Sequence, residues 1–309
     1  MESGYPCRLS MAEFNYKGIN VKEYPGGILL SGVSDFIPTH VFQCGQCFRW
    51  QQVEEESFHG IAGGKQARIS MLSNGDLELS GVTPEDLDSF WHNYLDLGTD
   101  YGKIKELVTD DDIMREAIEV GKGIRLLKQD LWEMMVSFII SANNNIPRIS
   151  GSVEKICNQW GDPISGTDRK SFPTAKVLSQ ATVDEIRSMG VGFRDKYIKA
   201  ASLEMQAEGS LEALRNELIQ GDCQQALDRM LKFTGVGPKV AHCILLFTGI
   251  RYDMFPKDVW VLRVMKELYP EESNTPADID RAVARRFGDL AGYAQQYLFY
   301  YIRKTTIGK

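Results

Sequence analysis

Two periodicities divide the chain. Between about Val21 and Leu79, apolar and polar residues alternate over short runs (GGILLSGV, FRWQQV, FHGIAG, ARISML, DLELSG) punctuated by Gly, Ser and Asn. A period of two places successive side chains on opposite faces, as a half-buried strand requires. Ser73-Asn74-Gly75 lies between two of these runs, and Asn-Gly is a hairpin signal because both residues tolerate a positive φ. From Pro84 the spacing of apolar residues becomes helical, beginning with PEDLDSFWHNYL and continuing nearly to the C-terminus. Strands followed by helices predict an α+β fold, an antiparallel β domain and then an all-α domain. With 309 residues the chain is long enough for two or more domains. The expected division is a poorly ordered segment 1–18, a sheet domain with its following helices over 19–123, and a helical domain over 124–305.

Several helix limits are legible. Thr182 and Glu185 fit a capping box, with Gly190 where a helix stops. Pro147 suits the first turn of a helix whose Ile149, Val153, Ile156 and Trp160 share a face, ended by Gly161. Leu131 to Ile140 is apolar almost all round and is expected at the buried centre of the second domain.

Composition changes little in this picture. Hydrophobic residues make up 43% and charged residues 25%, ordinary values for a globular protein. No apolar run is long enough to span a bilayer, so no membrane partner is expected, and MESGYPCRLS lacks the apolar stretch of a secretory signal; Met11 offers an alternative start. The six cysteines are scattered and read as reduced thiols of an intracellular protein. Cys44 and Cys47 form a lone CxxC near His40 without a second ligand pair at usable spacing, which favours buried thiols over a metal site.

Charge adds a constraint. The net charge of −7 runs against the basic footprint of most nucleic-acid enzymes, but residues 81–120 alone hold 11 Asp and Glu against 3 Lys and Arg. Residues 225–264 carry 6 basic and 3 acidic side chains, so a locally positive face is compatible with the total.

The most informative stretch is LDRMLKFTGVGPKVAHCILLF, residues 227–247. An amphipathic segment runs into Thr234-Gly235-Val236-Gly237, and Pro238 then suits the first position of a new helix. Gly235 and Gly237 permit a tight turn and close approach by another backbone, and the free N–H groups at the new helix's start suit a phosphate. Lys239 falls in the first turn, where the helix dipole and partial burial disfavour an ammonium and raise the neutral fraction able to attack carbon. A surface lysine contacting phosphate explains the same residue equally well. Downstream, Phe255-Pro256-Lys257-Asp258 precedes the apolar run VWVLRVMKEL, so Asp258 fits an N-cap. If both helix starts face one cleft, an amine and a carboxylate oppose a bound phosphodiester. That pair suits attack at a sugar C1′.

With these residues in place the chain resembles the helix-hairpin-helix DNA glycosylases, specifically their 8-oxoguanine branch. GQCFRW at 45–50, GIRLLKQD at 123–130, SANNNIPR at 141–148, GVGFR at 190–194 and AQQYLF at 294–299 look like that family's blocks, in family order, and the resemblance covers about residues 20 to 304. It implies a TATA-binding-protein-like first domain and a bifunctional glycosylase and abasic-site lyase acting on damaged duplex DNA. Lys239 would be the nucleophile and Asp258 the catalytic carboxylate. The carbonyl of Gly45 would accept from the N7–H of the lesion, Cys243 and Phe299 would sandwich the extruded base, and Gln295 would bind its Watson–Crick edge. Asn143, Arg148 and Arg194 would hold the orphaned cytosine, with Phe193 as the wedge in the stack. Gly235, Gly237 and Trp260 would lie along the DNA backbone. Two positions depart from the vertebrate-type pattern, Trp260 where that branch has a phosphate-contacting His and Phe193 where it has Tyr. The resemblance implies no cofactor or metal, no iron–sulfur cluster, since no cysteine follows Cys243, and a monomer located with the genome, in cytoplasm or nucleus. Two rivals remain at this point: a monofunctional alkyl-purine glycosylase relying on Asp258 and water, and a non-catalytic helix-hairpin-helix DNA-binding protein.

Overall fold

The computed structural model describes residues 12–257 and 259–305, apart from the side chains of Val259, Trp260 and Val264. Seven antiparallel strands form one sheet: β1 Glu13–Tyr16, β2 Ile19–Tyr24, β3 Gly27–Ser31, β4 Trp50–Glu54, β5 Ser57–Ala62, β6 Lys65–Met71 and β7 Leu77–Ser80, in the order β1-β2-β3-β7-β6-β5-β4. The alternation has the expected consequence. Val21, Ile28, Leu30, Phe58, Ala67, Ile69, Leu77 and Leu79 are buried together against Leu87, Trp91 and Tyr94 of the segment that follows Thr83, while Gln51 to Glu54 face outward. The β6–β7 hairpin turns at Gly75 (φ +87°), with Leu72 N–H donating to Asp76.

The sheet begins earlier than expected. Residues 13–16, inside the segment predicted to lack order, pair with 19–22 through a turn at Lys17 and Gly18, both at positive φ, with Asn15 Oδ1 accepting from Gly18 N–H at 3.1 Å. Residues 1–11 lie outside the described residues, as does the part of that expectation which concerns them.

The remaining helices enclose a second core. Helix Leu131–Ser141 lies at its centre with nine buried residues, and Ile149, Val153 and Ile156 of helix Ile146–Trp160 pack into the same cluster. The Thr182–Glu185 capping box is present, and Gly190 takes φ +84° at the predicted stop. Tyr101, Ile104, Val108, Met114 and Ala117 belong to this second core, not to the sheet's. Residues 101–117 thus pack on the helical side of the expected boundary at 123, because helix Asp112–Val120 lies along the C-terminal helix Ala291–Lys304. The acidic stretch is partly neutralised there: Arg286 pairs with Asp110 at 2.6 Å and also with Asp111.

Polar side chains join the two cores. Gln46 is fully buried, donates through Nε2 to Val41 O (2.9 Å) and Arg125 O (2.8 Å), and accepts from Leu127 N–H (2.8 Å). Gln129 Nε2 returns a bond to Gln46 O at 2.7 Å. The GQCFRW loop is therefore pinned to the GIRLLKQD segment by the Gln46 and Gln129 amides, and each orphaned partner would cost about 1–3 kcal/mol.

Candidate active site

Helix Cys223–Met230, the turn ending in Gly235-Val236-Gly237 and helix Pro238–Phe247 form the predicted helix-hairpin-helix. Gly235 sits at φ +86°, and a β-carbon there would lie 2.6 Å from Tyr197 Cβ, so only glycine lets the hairpin approach the neighbouring helix. A β-carbon on Gly237 would meet nothing within 4 Å, leaving that side of the turn open to a ligand's backbone. No side chain caps helix Pro238–Phe247, and Pro238 carries no N–H. The remaining first-turn amides and the helix dipole present positive potential outward, as an anion site requires.

Lys239, half-buried in that first turn, lines a cleft of about 1130 Å³, and its Nζ stands 5.4 Å from the centroid of Phe138. Gly45, Asn143 and Phe299 line the same cleft, so four of the sequence-predicted residues converge. Gly45 is held at φ +87° between Cys44, whose carbonyl accepts from Gln296 Nε2 at 2.8 Å, and the anchored Gln46. A β-carbon on Gly45 would lie 3.2 Å from Phe299 Cε1, so the loop backbone and the ring are in near contact.

Cys243 and Gln295 do not line the cleft surface, yet each stands one helical turn from a residue that does, Cys243 from Lys239 and Gln295 from Phe299. Both are buried, and Gln295 Oε1 has no hydrogen-bond partner among the described residues. A buried orphaned amide oxygen is uncommon and is what a pocket awaiting a donor-bearing ligand would contain. Asp258 and the Trp260 side chain lie outside the described residues.

Arg194, Phe193 and Arg148 form a second group. Arg194 is buried, and its guanidinium donates to the carbonyls of Val191 (2.9 Å), Ala142 (2.9 Å through Nε) and Asn143 (3.1 Å). It thereby holds the 142–143 turn, where Asn143 adopts φ +49°. Burial, and then the neighbouring charge of Arg148, push the Arg194 value down, so the pair would gain from an electron-rich partner between them. Arg148 is exposed, and its guanidinium has no hydrogen bond or ion pair among the described residues. Phe193 is 61% exposed, an unusual position for a phenyl ring, edge-on to Tyr197 at 6.4 Å and covered on one face by Arg194 at 4.4 Å.

Sequence reasoning did not single out Phe48, Phe138, Ile146, Lys257, Leu262, Arg303 and Lys304, all of which line the cleft. Arg303 carried one usable signal: it lies four residues after Phe299 on a helix and so shares its face. Cys44 and Cys47 are buried, each thiol donating to a backbone carbonyl, and burial pushes Cys44 up to about 11. Among the described residues no group of His, Cys, Asp and Glu is arranged to hold a metal ion.

Comparison with known proteins bears on the fold and the family. Residues 28–135 match the 8-oxoguanine DNA glycosylase N-terminal domain family, and residues 136–288 match the HhH-GPD superfamily of base excision DNA repair proteins. The N-glycosylase/DNA lyase of Saccharomyces cerevisiae is 30% identical over 81% of this chain and 73% of its own, and that of Arabidopsis thaliana is 29% identical over 84% and 75%. Among solved structures, MBOgg1 with a low-affinity DNA ligand superposes with a TM-score of 0.87 at 38% identity, covering 94% of this chain and 99% of its own. The Clostridium acetobutylicum 8-oxoguanine glycosylase/lyase bound to duplex DNA with cytosine opposite 8-oxoguanine gives a TM-score of 0.86 at 34% identity, covering 92% and 97%. The antiparallel sheet, the helical unit with its glycine hairpin and these matches together place the chain in the 8-oxoguanine DNA glycosylase/lyase family of the HhH-GPD superfamily.

Proposed function

We propose that this protein excises 8-oxoguanine from duplex DNA, preferentially opposite cytosine, and cleaves the strand at the resulting site. The observation that carries the reading is Lys239 at the uncapped head of helix Pro238–Phe247, facing one cleft with Gly45 and Phe299. The hairpin amides anchor a phosphate, and the extruded nucleotide brings C1′ to Lys239 Nζ. The neutral amine forms a bond to C1′ as the bond from C1′ to the base nitrogen breaks, its electron pair leaving with the base. Asp258 stabilises the positive charge that develops on the sugar. Sugar ring opening gives a Schiff base, loss of a C2′ proton expels the 3′ phosphate by β-elimination, and water then releases the lysine. Both reacting partners come from protein and DNA, so the chemistry uses no metal or redox cofactor.

The orphaned Gln295 Oε1 accepts from the donor edge of the base, Phe299 and Cys243 enclose its faces, and the Gly45 carbonyl accepts from N7–H, a donor that guanine lacks. Phe193 fills the vacated stack, while Arg148, Arg194 and Asn143 hold the orphaned cytosine. Arginine donors match cytosine's acceptor edge. Gly235, Gly237 and Trp260 lie along the phosphate backbone, and the enzyme works as a monomer in the compartment that holds the genome.

Borohydride trapping on duplexes carrying 8-oxoguanine opposite each of the four bases tests the reading. Wild type is expected to give a covalent complex, most rapidly opposite cytosine, and Lys239→Gln none. Release of alkylated bases with no trapped complex on 8-oxoguanine would replace it with the monofunctional mechanism. Equal binding of lesion duplex by both proteins without base release would leave only DNA binding.

A further inference from the structure

The damaged base differs from guanine at two adjacent atoms: it gains a donor at N7 and an acceptor oxygen at C8. A carbonyl at Gly45 answers only the first. Arg303 stands beside it. A β-carbon on Gly45 would lie 3.5 Å from Arg303 Nη1, and the guanidinium carbon sits 5.4 Å from the centroid of Phe299. The hydrogen bond from Nη1 to Gln43 O, at 3.4 Å, is long and leaves most of the five guanidinium donors unused.

The other cations of the cleft are committed elsewhere. Lys257 pairs with Asp280, Lys304 lies over the Tyr300 ring at 5.3 Å, and Lys239 faces the sugar in the reading above. Arg303 is exposed, one turn beyond Phe299 on helix Ala291–Lys304, and tethered to the 43–45 loop that presents the Gly45 carbonyl. The Gly45 backbone and a charged donor therefore meet at the Phe299 ring, where an acceptor and a donor would complement an adjacent N7–H and C8 carbonyl.

We infer that Arg303 is a specificity-determining residue that donates a hydrogen bond to the C8 oxygen of the extruded lesion. The inference rests on the assignment of the cleft to 8-oxoguanine. Undamaged guanine offers C8–H at that position and leaves the guanidinium without a partner, so the contact adds to the Gly45 discrimination instead of duplicating it.

The test compares wild type, Arg303→Ala and Arg303→Lys under single-turnover conditions on two duplexes, one with 8-oxoguanine opposite cytosine and one with a preformed abasic site opposite cytosine. The expected result for Arg303→Ala is base release slowed by about tenfold or more, the usual scale of a lost charged hydrogen bond, with abasic-site cleavage within about twofold of wild type. Arg303→Lys should recover part of the loss. Because Arg303 lies on the surface, all three proteins should melt alike. An equal fall on both duplexes would make Arg303 a phosphate clamp and overturn the inference, as would no fall on either. Wild type that cleaves abasic DNA but releases no 8-oxoguanine would overturn the assignment of the cleft, and this inference with it.

Discussion

Of the glycines that cannot be exchanged cheaply, three near the helical site illustrate different reasons. Gly190 supplies a positive φ at a helix stop, Gly45 brings backbone against the Phe299 ring, and Gly235 lets the hairpin lie on Tyr197. Gly235→Ala combines a left-handed backbone, costing about 1–2 kcal/mol for an alanine, with a 2.6 Å clash against a β-carbon that cannot swing away. The expected outcome is a melting temperature lowered by several degrees and weaker binding of both lesion and abasic duplex, read by calorimetry and by fluorescence anisotropy. Unchanged affinity would show that the hairpin does not need this packing to meet phosphate. At this scale the sequence was only partly legible. Lys239 stands where local rules disfavour a cation, a breach that marks it without choosing between nucleophile and phosphate contact, and the role of Gly45 comes only with the family resemblance. Arg303, Leu262 and Phe138 break no local rule, and their place in the cleft appears only once the C-terminal helix is folded back onto the 43–49 loop.

Elements were legible where a terminus carries its own chemistry. The Thr182 capping box was read in this way; Thr83, Asp222 and Thr275 close three more that were not read, and Asn145 caps helix Ile146–Trp160 by accepting from Arg148 N–H at 3.1 Å. Strand β1 was missed because its four residues are mostly exposed and show no buried alternation. Residues 101–117 fall within the N-terminal family match yet pack into the helical core, since an amphipathic pattern shows that a face is buried but not against what. Asn145 links an element to the site, since the amide it caps belongs to the arginine proposed to read cytosine. Asn145→Ala should cost about 1 kcal/mol of stability. It should also loosen the start of the helix that carries Arg148, so the preference for cytosine over the other opposite bases narrows while abasic-site cleavage persists. Excision rates against all four opposite bases measure this, and an unchanged preference would separate Arg148 from the cap.

At the scale of the whole molecule, the sheet and the helical unit enclose charges where they meet. Arg49 is almost fully buried and donates to Glu154 at 2.9 Å, and Arg169 reaches the same carboxylate at 2.6 Å. Glu133 has no such partner among the described residues. It lines a cavity of about 460 Å³ between Trp50, Phe90 and Tyr94 on the sheet side and Leu211 and Arg215 on the helical side. Burial pushes its carboxyl up from 4.5 to about 7, against the pull of Arg49 and with some help from Asp130. The folded state therefore binds a proton more tightly than the unfolded chain does. Its contribution is complete below about pH 4.5 and is lost as the pH rises through the interval up to about 7. The loss is bounded by about 3 kcal/mol, the equivalent of that displacement. Glu133→Gln keeps the shape and removes the titration, so wild type should lose more stability than the variant between pH 5 and pH 8, in urea unfolding at both pH values. Comparing the two proteins cancels the titrating groups that do not interact with Glu133, and the difference reports Glu133 together with its coupling to Asp130. Equal losses would mean that the carboxylate stays charged and solvated in the cavity, and that the two units meet around open water, not around a proton.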